Sequence, residues 1–200
     1  MTESSTPLQP RMRQAMRAEV ARVATGLFAA RGFENVTVPE IAAAAGVSRA
    51  TFFRYFGSKE DAVLAALDGY GARIAEALAA RPAGEDAWTA LRRALDVITD
   101  ARNEDPEGGL ALARLIESTP SLRTHEMEKH RRWQGTLSGV LAERLGRGED
   151  DFETVLRSAA ALTALELATL RWARTDGADD LGALIDQAFL VMRAPAPDLI

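Results

Sequence analysis

TVPEIAAAAGVSRATFFRYFGSK, residues 37 to 59, is the stretch that decides the fold of this chain. Thr37 and Glu40 have the spacing of a capping box, so a helix begins here. Gly46 predicts the end of that helix, because glycine adopts the left-handed conformation of a C-terminal cap without strain. Ser48 then predicts the N-cap of a second helix. Two short helices joined by a glycine turn are the layout of a DNA-binding helix-turn-helix.

The second helix, which begins after Ser48, has two different faces. Phe52 and Phe56 share one face, which we expect to pack against the domain, whereas Arg49 and Phe53 share the other. The free face can enter the major groove of DNA, which is about 12 Å wide and admits one helix. An arginine on this face can pair with guanine, and neighbouring cations can bind phosphates. The residues predicted to contact DNA are Thr37, Ser48, Arg49, Ala50, Thr51, Phe53, Arg54, Tyr55 and Lys59.

A second capping box, formed by Ser58 and Asp61, predicts the start of a long helix over residues 58 to 81. Two glycines inside this helix lower its helical preference. We therefore predict a domain boundary beside them, which divides the chain into residues 1–66 and 67–200.

The N-terminal third of the chain resembles the TetR family of bacterial transcriptional regulators. Two residues depart from the common pattern of the family: Phe53 stands where tyrosine is frequent, and Tyr55 stands where many members have histidine. The resemblance covers about residues 13 to 67 and rests on LFAARGFENVTV (27–38), IAAAAGVS (41–48) and TFFRYFGSKED (51–61).

This resemblance implies an all-α fold, in which an N-terminal three-helix helix-turn-helix DNA-binding domain is joined by a long helix to a C-terminal helical ligand-binding and dimerisation domain. It also implies that a small, often apolar effector binds in the C-terminal domain and tilts the linking helix. Polar and aromatic residues embedded in apolar helix faces are the candidates for effector contact. They are Trp88, Arg114, His130, Trp133, Thr163, Glu166 and Trp172.

The composition of the chain limits the classes of protein to which it can belong. Apolar residues make up 47% and charged residues 26% of the chain, which is ordinary for a globular protein. There is no cysteine, so disulfides and thiolate metal sites are excluded. The first ten residues, MTESSTPLQP, lack an apolar signal core, and no apolar run reaches the roughly 18 residues that span a bilayer. We therefore expect a cytoplasmic protein without membrane contact.

Charge is distributed unevenly along the chain. Residues 1 to 60 carry eight Lys or Arg against five Glu, a net charge of +3. The remainder carries 16 basic against 24 acidic residues, a net charge of −8. In a DNA-binding protein with a separate effector domain, we expect the DNA-binding part to be basic, because it contacts phosphates. The effector domain does not contact DNA and can be acidic.

Helical patterns account for nearly all of the remaining chain. The helix over residues 151 to 175 is apolar almost all round, so it must be covered on both sides. One side can face the domain core and the other can pair with a second chain, which predicts a two-fold homodimer. A monomer whose own helices supply all the cover is the alternative. The predicted helices are 12–30, 85–103, 109–117, 121–145, 151–175 and 180–193, and the predicted dimer interface is Leu162, Leu170, Leu181, Leu184, Ile185 and Phe189.

The sequence contains no pattern typical of an enzyme. His125 and His130 are five residues apart, about 140° around a helix, whereas a zinc-binding helix needs its histidines four apart. Glu126 and His130 are four apart, which predicts a salt bridge or hydrogen bond between them. A nucleophile elbow and a phosphate-binding glycine loop are both missing from the sequence. No catalytic residue, metal or cofactor is predicted.

Together these patterns favour a transcriptional repressor that binds a palindromic operator on double-stranded DNA as a homodimer and is released by a small-molecule effector. A dimer would place two reading helices about 34 to 36 Å apart, one turn of the duplex. A transcriptional activator is equally compatible with the sequence. A third possibility is a helical small-molecule-binding protein without a DNA target, which the unusual Phe53 keeps open. Operator sequence, target genes and effector identity are not encoded in any recognisable pattern.

Overall fold

The computed structural model describes residues 8–148 and 150–193, and all regular structure within these ranges is helical. The predicted all-α fold class is therefore confirmed. The helices are α1 (Leu8–Arg31), α2 (Val38–Ala44), α3 (Arg49–Tyr55), α4 (Lys59–Leu64), α5 (Tyr70–Ala79), α6 (Ala87–Ala94), α7 (Asp96–Glu104), α8 (Pro106–Ser118), α9 (Pro120–Leu145), α10 (Phe152–Arg174) and α11 (Leu181–Arg193).

Helices α1 to α4 enclose the first of two apolar cores. Its centre is a set of fully buried side chains that includes Val20, Phe28, Ile41 and Phe52. The same core continues into α8 and the start of α9 through Leu112, Leu115, Ile116 and Leu122, so the N-terminal helices rest directly on the C-terminal half. The predicted boundary between residues 66 and 67 stays a prediction.

The expected continuous helix over residues 58 to 81 is interrupted. Helix α4 tightens into a 3-10 turn at Ala65–Leu67, Asp68 is extended, and Gly69 has a φ of 85° before α5 begins. Only glycine adopts that left-handed conformation at little cost. The Asp68 carboxylate is also held by two cations from other helices, and these contacts stabilise the break. The two halves are thus linked by two short helices, α4 and α5, with a non-helical joint at Asp68–Gly69 between them.

Helices α5 to α11 build the second core, whose fully buried members include Ile74, Leu91, Leu137 and Ile185. Helix α8 begins three residues earlier than predicted, because Asp105 caps the helix by accepting the Gly108 amide at 3.0 Å. The predicted helix over 85 to 103 is two helices, α6 and α7, which meet at the buried Leu95.

The predicted dimer-interface residues lie mostly inside the protomer. Leu162, Leu181, Ile185 and Phe189 are each at most 5% exposed because they belong to the protomer's own core, so they offer little surface to a second chain. Their part in an interface stays a prediction. Leu184 is partly buried, and Leu170 lines a cavity between α7, α8, α9 and α10. The apolar residues that α10 and α11 expose are Phe152, Leu156, Leu167, Leu190 and Val191.

No helix in the described part of the chain is both long enough and apolar enough to cross a bilayer.

Candidate DNA interface and effector cavity

Caps and a glycine turn fix the angle between α2 and α3. The Glu40 carboxylate accepts hydrogen bonds from the Thr37 amide at 2.8 Å, from the Thr37 hydroxyl at 2.7 Å and from Arg31 at 2.7 Å. The hydrogen bonds from Thr37, followed by the one from Arg31, lower the pKa of Glu40 to about 2. Gly46 has a φ of 68°, and the Val47 amide returns to the Ala42 carbonyl at 2.9 Å.

Helix α3 has one buried and one exposed face, as the sequence predicts. The Phe52 and Phe56 rings are buried with centroids 5.1 Å apart, whereas Phe53 is 46% exposed. The Arg49 guanidinium lies 5.7 Å from the centre of the Phe53 ring, so both side chains belong to the outer face. Ser48 accepts the Thr51 amide at 3.0 Å and thereby caps α3. The exposed residues of this face are Ser48, Arg49, Ala50, Phe53 and Arg54, with Thr51 and Tyr55 half-buried beside them.

Lys59 occupies a different environment from the free cation expected at a phosphate contact. Its ammonium group donates to the Phe33 carbonyl at 3.0 Å, lies 4.1 Å from the centre of the Phe33 ring and is 3.7 Å from the Glu34 carboxylate. These contacts tie the start of α4 to the end of α1. The second capping box is also only partly formed: Ser58 accepts the Asp61 amide, but Asp61 accepts from Gly57.

Arg17 is a supporting residue that the sequence did not single out. It donates to the carbonyl of Tyr55 at the end of α3, and its guanidinium lies 4.8 Å from the centre of the Phe56 ring. The same guanidinium pairs with Asp68 at 2.6 Å. Arg17 therefore holds the C-terminal end of α3 in place from the buried side of that helix. Its role depends on residues 38 to 51 positions away, which local patterns do not reveal.

A cavity of about 210 Å³ lies between the linking segment and helices α7 to α10. Most of its wall is apolar, and its ionisable lining residues include Arg102, Glu126, His130 and Glu166. Its other wall residues are Leu67, Ile98, Ala113, Ile116, Glu117, Arg123, Met127, Trp133, Leu165, Thr169, Leu170 and Arg174.

Burial alters the ionisation of three of these groups. It raises the pKa of Glu126 to about 7, assisted by the nearby Glu166 carboxylate and opposed by Arg102. It lowers the pKa of His130 to about 4, so this imidazole is neutral at physiological pH. It also lowers the pKa of Arg102, whose Nε atom is buried and has no hydrogen-bond partner within residues 8–148 and 150–193. Within the same ranges, the predicted hydrogen bond between Glu126 and His130 is not formed.

Only some of the predicted effector contacts meet at this cavity. His130, Trp133 and Glu166 line it. Trp88 instead packs edge-to-face on Phe189 with centroids 5.9 Å apart, and Arg114 is exposed and paired with Asp176. Thr163 is exposed in a groove on the outer side of α10, and Trp172 is buried away from the cavity. Sequence reasoning missed Arg102 and Glu126, since isolated charged residues on amphipathic helices usually face solvent.

Two comparisons with known proteins identify the chain. Residues 21–66 match the family profile described as "Bacterial regulatory proteins, tetR family", and residues 85–197 match the one described as "MftR C-terminal domain". The HTH-type transcriptional regulator TcmR of Streptomyces glaucescens is 36% identical over 157 residues, which cover 74% of this chain and 70% of TcmR. The chain belongs to the TetR family of transcriptional regulators.

Two solved structures of transcriptional regulators have a similar fold over most of the chain. FadR from Bacillus subtilis, in complex with stearoyl-CoA, is 20% identical and superposes with a TM-score of 0.63 over 87% of this chain and 96% of FadR. FadR from Thermus thermophilus, in complex with lauroyl-CoA, is 26% identical with a TM-score of 0.54 over 91% of this chain and 99% of FadR. Together with the family match, this makes the chain a transcriptional regulator of TetR type, with an N-terminal helix-turn-helix and a C-terminal helical domain.

The buried carboxyl group in this TetR-family chain predicts a pH-dependent stability. Because the folded pKa of Glu126 is about 7 and its ordinary value is 4.5, the folded state loses stability as pH rises from about 4.5 to 7. Glu126→Gln removes this loss. We expect the variant to be more stable than wild type by on the order of 3 kcal/mol at about pH 8, with the difference vanishing near pH 4.

Urea unfolding at the two pH values measures this difference. Glu128→Gln is the matched control, because Glu128 is exposed on the same helix and should leave the stability almost unchanged. Equal stability of Glu126→Gln and wild type at about pH 8 would contradict the burial of a protonated carboxyl group.

Proposed function

We propose that this chain is a repressor that binds a palindromic operator as a homodimer and is released by a small-molecule effector. The observation that carries the proposal is the exposed face of α3, on which Arg49 and Phe53 project from a helix braced by Arg17. DNA is its target, and the cytoplasm is its proposed location. A reporter under the control of the native promoter, with and without the protein, separates a repressor from an activator.

The outer side of α10 and α11 supports dimerisation. Leu156 and Leu167 are 52% and 58% exposed on α10, and Val191 is 71% exposed on α11. These side chains border one apolar groove together with Leu184 and Met192. A contiguous apolar surface of this kind is typical of protein–protein interfaces. We propose that the same groove of a second protomer covers it and forms a four-helix interface.

A chain of polar contacts supports coupling between the cavity and the reading helix. The Asp68 carboxylate pairs with Arg17 of α1 at 2.6 Å and with Lys129 of α9 at 2.6 Å. Lys129 is adjacent to His130, which lines the cavity, and Arg17 holds the end of α3. Burial favours the protonated form of Asp68, but hydrogen bonds from Lys129 and Arg17 outweigh it and lower its pKa. An effector that displaces α9 would therefore shift Arg17 and the end of α3 through their contacts with Asp68.

The coupling needed for release is small. A difference of about 1 to 3 kcal/mol between the two conformations changes DNA affinity by roughly 5- to 150-fold. The joint at Asp68–Gly69 is the segment that can absorb such a change, because its backbone leaves the helical conformation there. The FadR structures hold acyl-CoA ligands, and their common fold supports effector binding in the C-terminal half of this chain.

Arg49→Ala is expected to relax base preference at one position in each half-site. The guanidinium is exposed on the outer face of α3, where it can make a bidentate contact with guanine. We expect operator binding to weaken by about 1 to 3 kcal/mol, with no comparable loss on unrelated DNA. Gel-shift titrations on operator variants measure both quantities.

Arg54→Ala is the matched comparison, since Arg54 is exposed near the other end of α3. Its loss should weaken binding to all sequences alike and reduce the salt slope by about one. Unchanged affinity, base preference and salt slope in both variants would contradict the DNA-binding proposal and favour a small-molecule-binding protein without a DNA target.

A further inference from the structure

Arg102 reaches the cavity by a path that a single glycine leaves open. A Cβ atom at Gly109 of α8 would lie 2.5 Å from Cδ of Arg102, so a side chain at residue 109 would displace the arginine. Gly109 itself is buried in α8. The arginine thus packs against the backbone of α8 at Gly109, and it lines the cavity together with Glu126, His130 and Glu166.

One nitrogen of the Arg102 guanidinium lacks a hydrogen-bond partner in the described part of the chain. Its Nε atom is buried without a hydrogen-bond partner, and no carboxylate in the described part of the chain is within salt-bridge distance of it. Guanidinium remains protonated in proteins even when its pKa is lowered. Arg102 is half-buried as a whole, and its buried, unpartnered Nε donor is costly, so an anion that binds beside the guanidinium recovers part of that cost.

We propose that the effector is a small monocarboxylate whose carboxylate group binds the Arg102 guanidinium inside the cavity. The inference rests on the proposed role of the cavity as the effector site. The planar donors of arginine match the two oxygens of a carboxylate, which makes this pair both strong and directional.

Glu126 supplies the second contact with the carboxylate. The charged and titratable residues that line the cavity with it are Arg102 of α7, His130 and Arg123 of its own helix, Glu117 of α8, and Glu166 and Arg174 of α10. Arg174 is already paired with Glu117 at 2.6 Å. The pKa of Glu126 is about 7, so at slightly acidic pH its protonated carboxyl group donates a hydrogen bond to the bound carboxylate. Deprotonation at higher pH places a second negative charge beside the ligand and weakens binding.

The size of the cavity restricts the rest of the molecule. An engineered cavity of about 150 Å³ lined by aliphatic and aromatic side chains binds benzene. The cavity of this chain is about 210 Å³, and its apolar wall includes Ile98, Ile116, Trp133 and Leu165. A single aromatic ring or a short alkyl chain, with its carboxylate at Arg102, therefore fills it.

The test uses the full-length protein and a panel of acids, each beside its uncharged primary amide. The acids are benzoate, phenylacetate, hexanoate and octanoate. Thermal shift and calorimetric titration at about pH 6 and pH 8 measure binding of every compound to wild type, Arg102→Gln and Glu126→Gln. Arg114→Gln is the matched control, because Arg114 is an arginine of α8 that is exposed and does not line the cavity.

We expect at least one acid of the panel to bind wild type and Arg114→Gln, with its amide at least about tenfold weaker. Arg102→Gln should weaken the acid by a similar factor without affecting the amide. Wild type should bind the acid more tightly at about pH 6 than at pH 8, whereas Glu126→Gln should bind it equally at both. The mutant and amide comparisons distinguish recognition of the carboxylate from general binding in an apolar cavity.

Two results would overturn the inference: no acid binds wild type, or the acids bind Arg102→Gln as tightly as wild type. Folding of the variants is checked by their unfolding temperature and by operator binding in the absence of ligand. If operator binding is intact while the acids fail, the ligand class is wrong and the regulator function stands. If operator binding is absent in wild type, the proposed function itself fails.

Discussion

Leu167→Glu is expected to convert a dimer into a monomer and to lower operator affinity by at least about 100-fold. Leu167 is 58% exposed on the outer face of α10 and borders the apolar groove shared with α11. In a two-fold interface the substitution would bury two carboxylates without partners, which costs several kcal/mol. Loss of the dimer removes the second half-site contact, and 100-fold corresponds to about 2.7 kcal/mol.

Light scattering during size-exclusion chromatography gives the oligomeric state, and gel shifts on a palindromic operator give the affinity. Thr136→Glu provides the control, because Thr136 is exposed on α9 and lies outside the groove. That variant should remain dimeric and bind DNA normally. A dimeric Leu167→Glu with wild-type affinity would show that α10 and α11 do not form the interface.

The second large effect is expected at two adjacent phenylalanines of α3. Phe52 is 1% exposed and packs against Phe56, so Phe52→Ala should destabilise the protein by about 3 to 5 kcal/mol. Phe53 is 46% exposed, so Phe53→Ala should change stability by less than about 1 kcal/mol. Because Phe53 lies beside Arg49 on the outer face, its truncation should instead weaken DNA binding.

Urea unfolding and gel shifts on both variants separate the two roles. Each phenylalanine serves as the control for the other, since the chemical change is identical and only the face of the helix differs. A large loss of stability in Phe53→Ala, or full DNA affinity in it, would mean that the outer face of α3 is not the reading surface.

Local signals account for the parts of the structure that the sequence predicted well. The helix starts at Thr37 and Ser48 and the turn at Gly46 depend on residues at most five apart, which is the range of capping and turn chemistry. The alternation of Phe52 and Phe53 between core and surface follows from the helical period alone. These local features were therefore sufficient to predict the helix-turn-helix and the exposed face of α3.

Long-range contacts account for the parts that it did not predict. The helix break at Asp68 depends on Arg17 and Lys129, which are 51 and 61 positions away. Arg102 enters the cavity because Gly109 of the next helix leaves room for it. For α10, an apolar surface all round gives no indication of which side faces the protomer's own core, so the sequence does not reveal that Leu162 is buried within the protomer.

The ion pairs of Asp68 have a practical consequence for building hybrid biosensors. A chimera spliced at residue 66 would take Arg17 from one parent and Asp68 from the other. The ion pair that holds Arg17 against the end of α3 would then form only if the two parents have matching residues. Splicing after Gly69 keeps Arg17 and Asp68 together, and the recipient half then needs a basic side chain where Lys129 stands. Compatibility at this three-residue junction, rather than overall similarity of the parents, is the design rule that the architecture suggests.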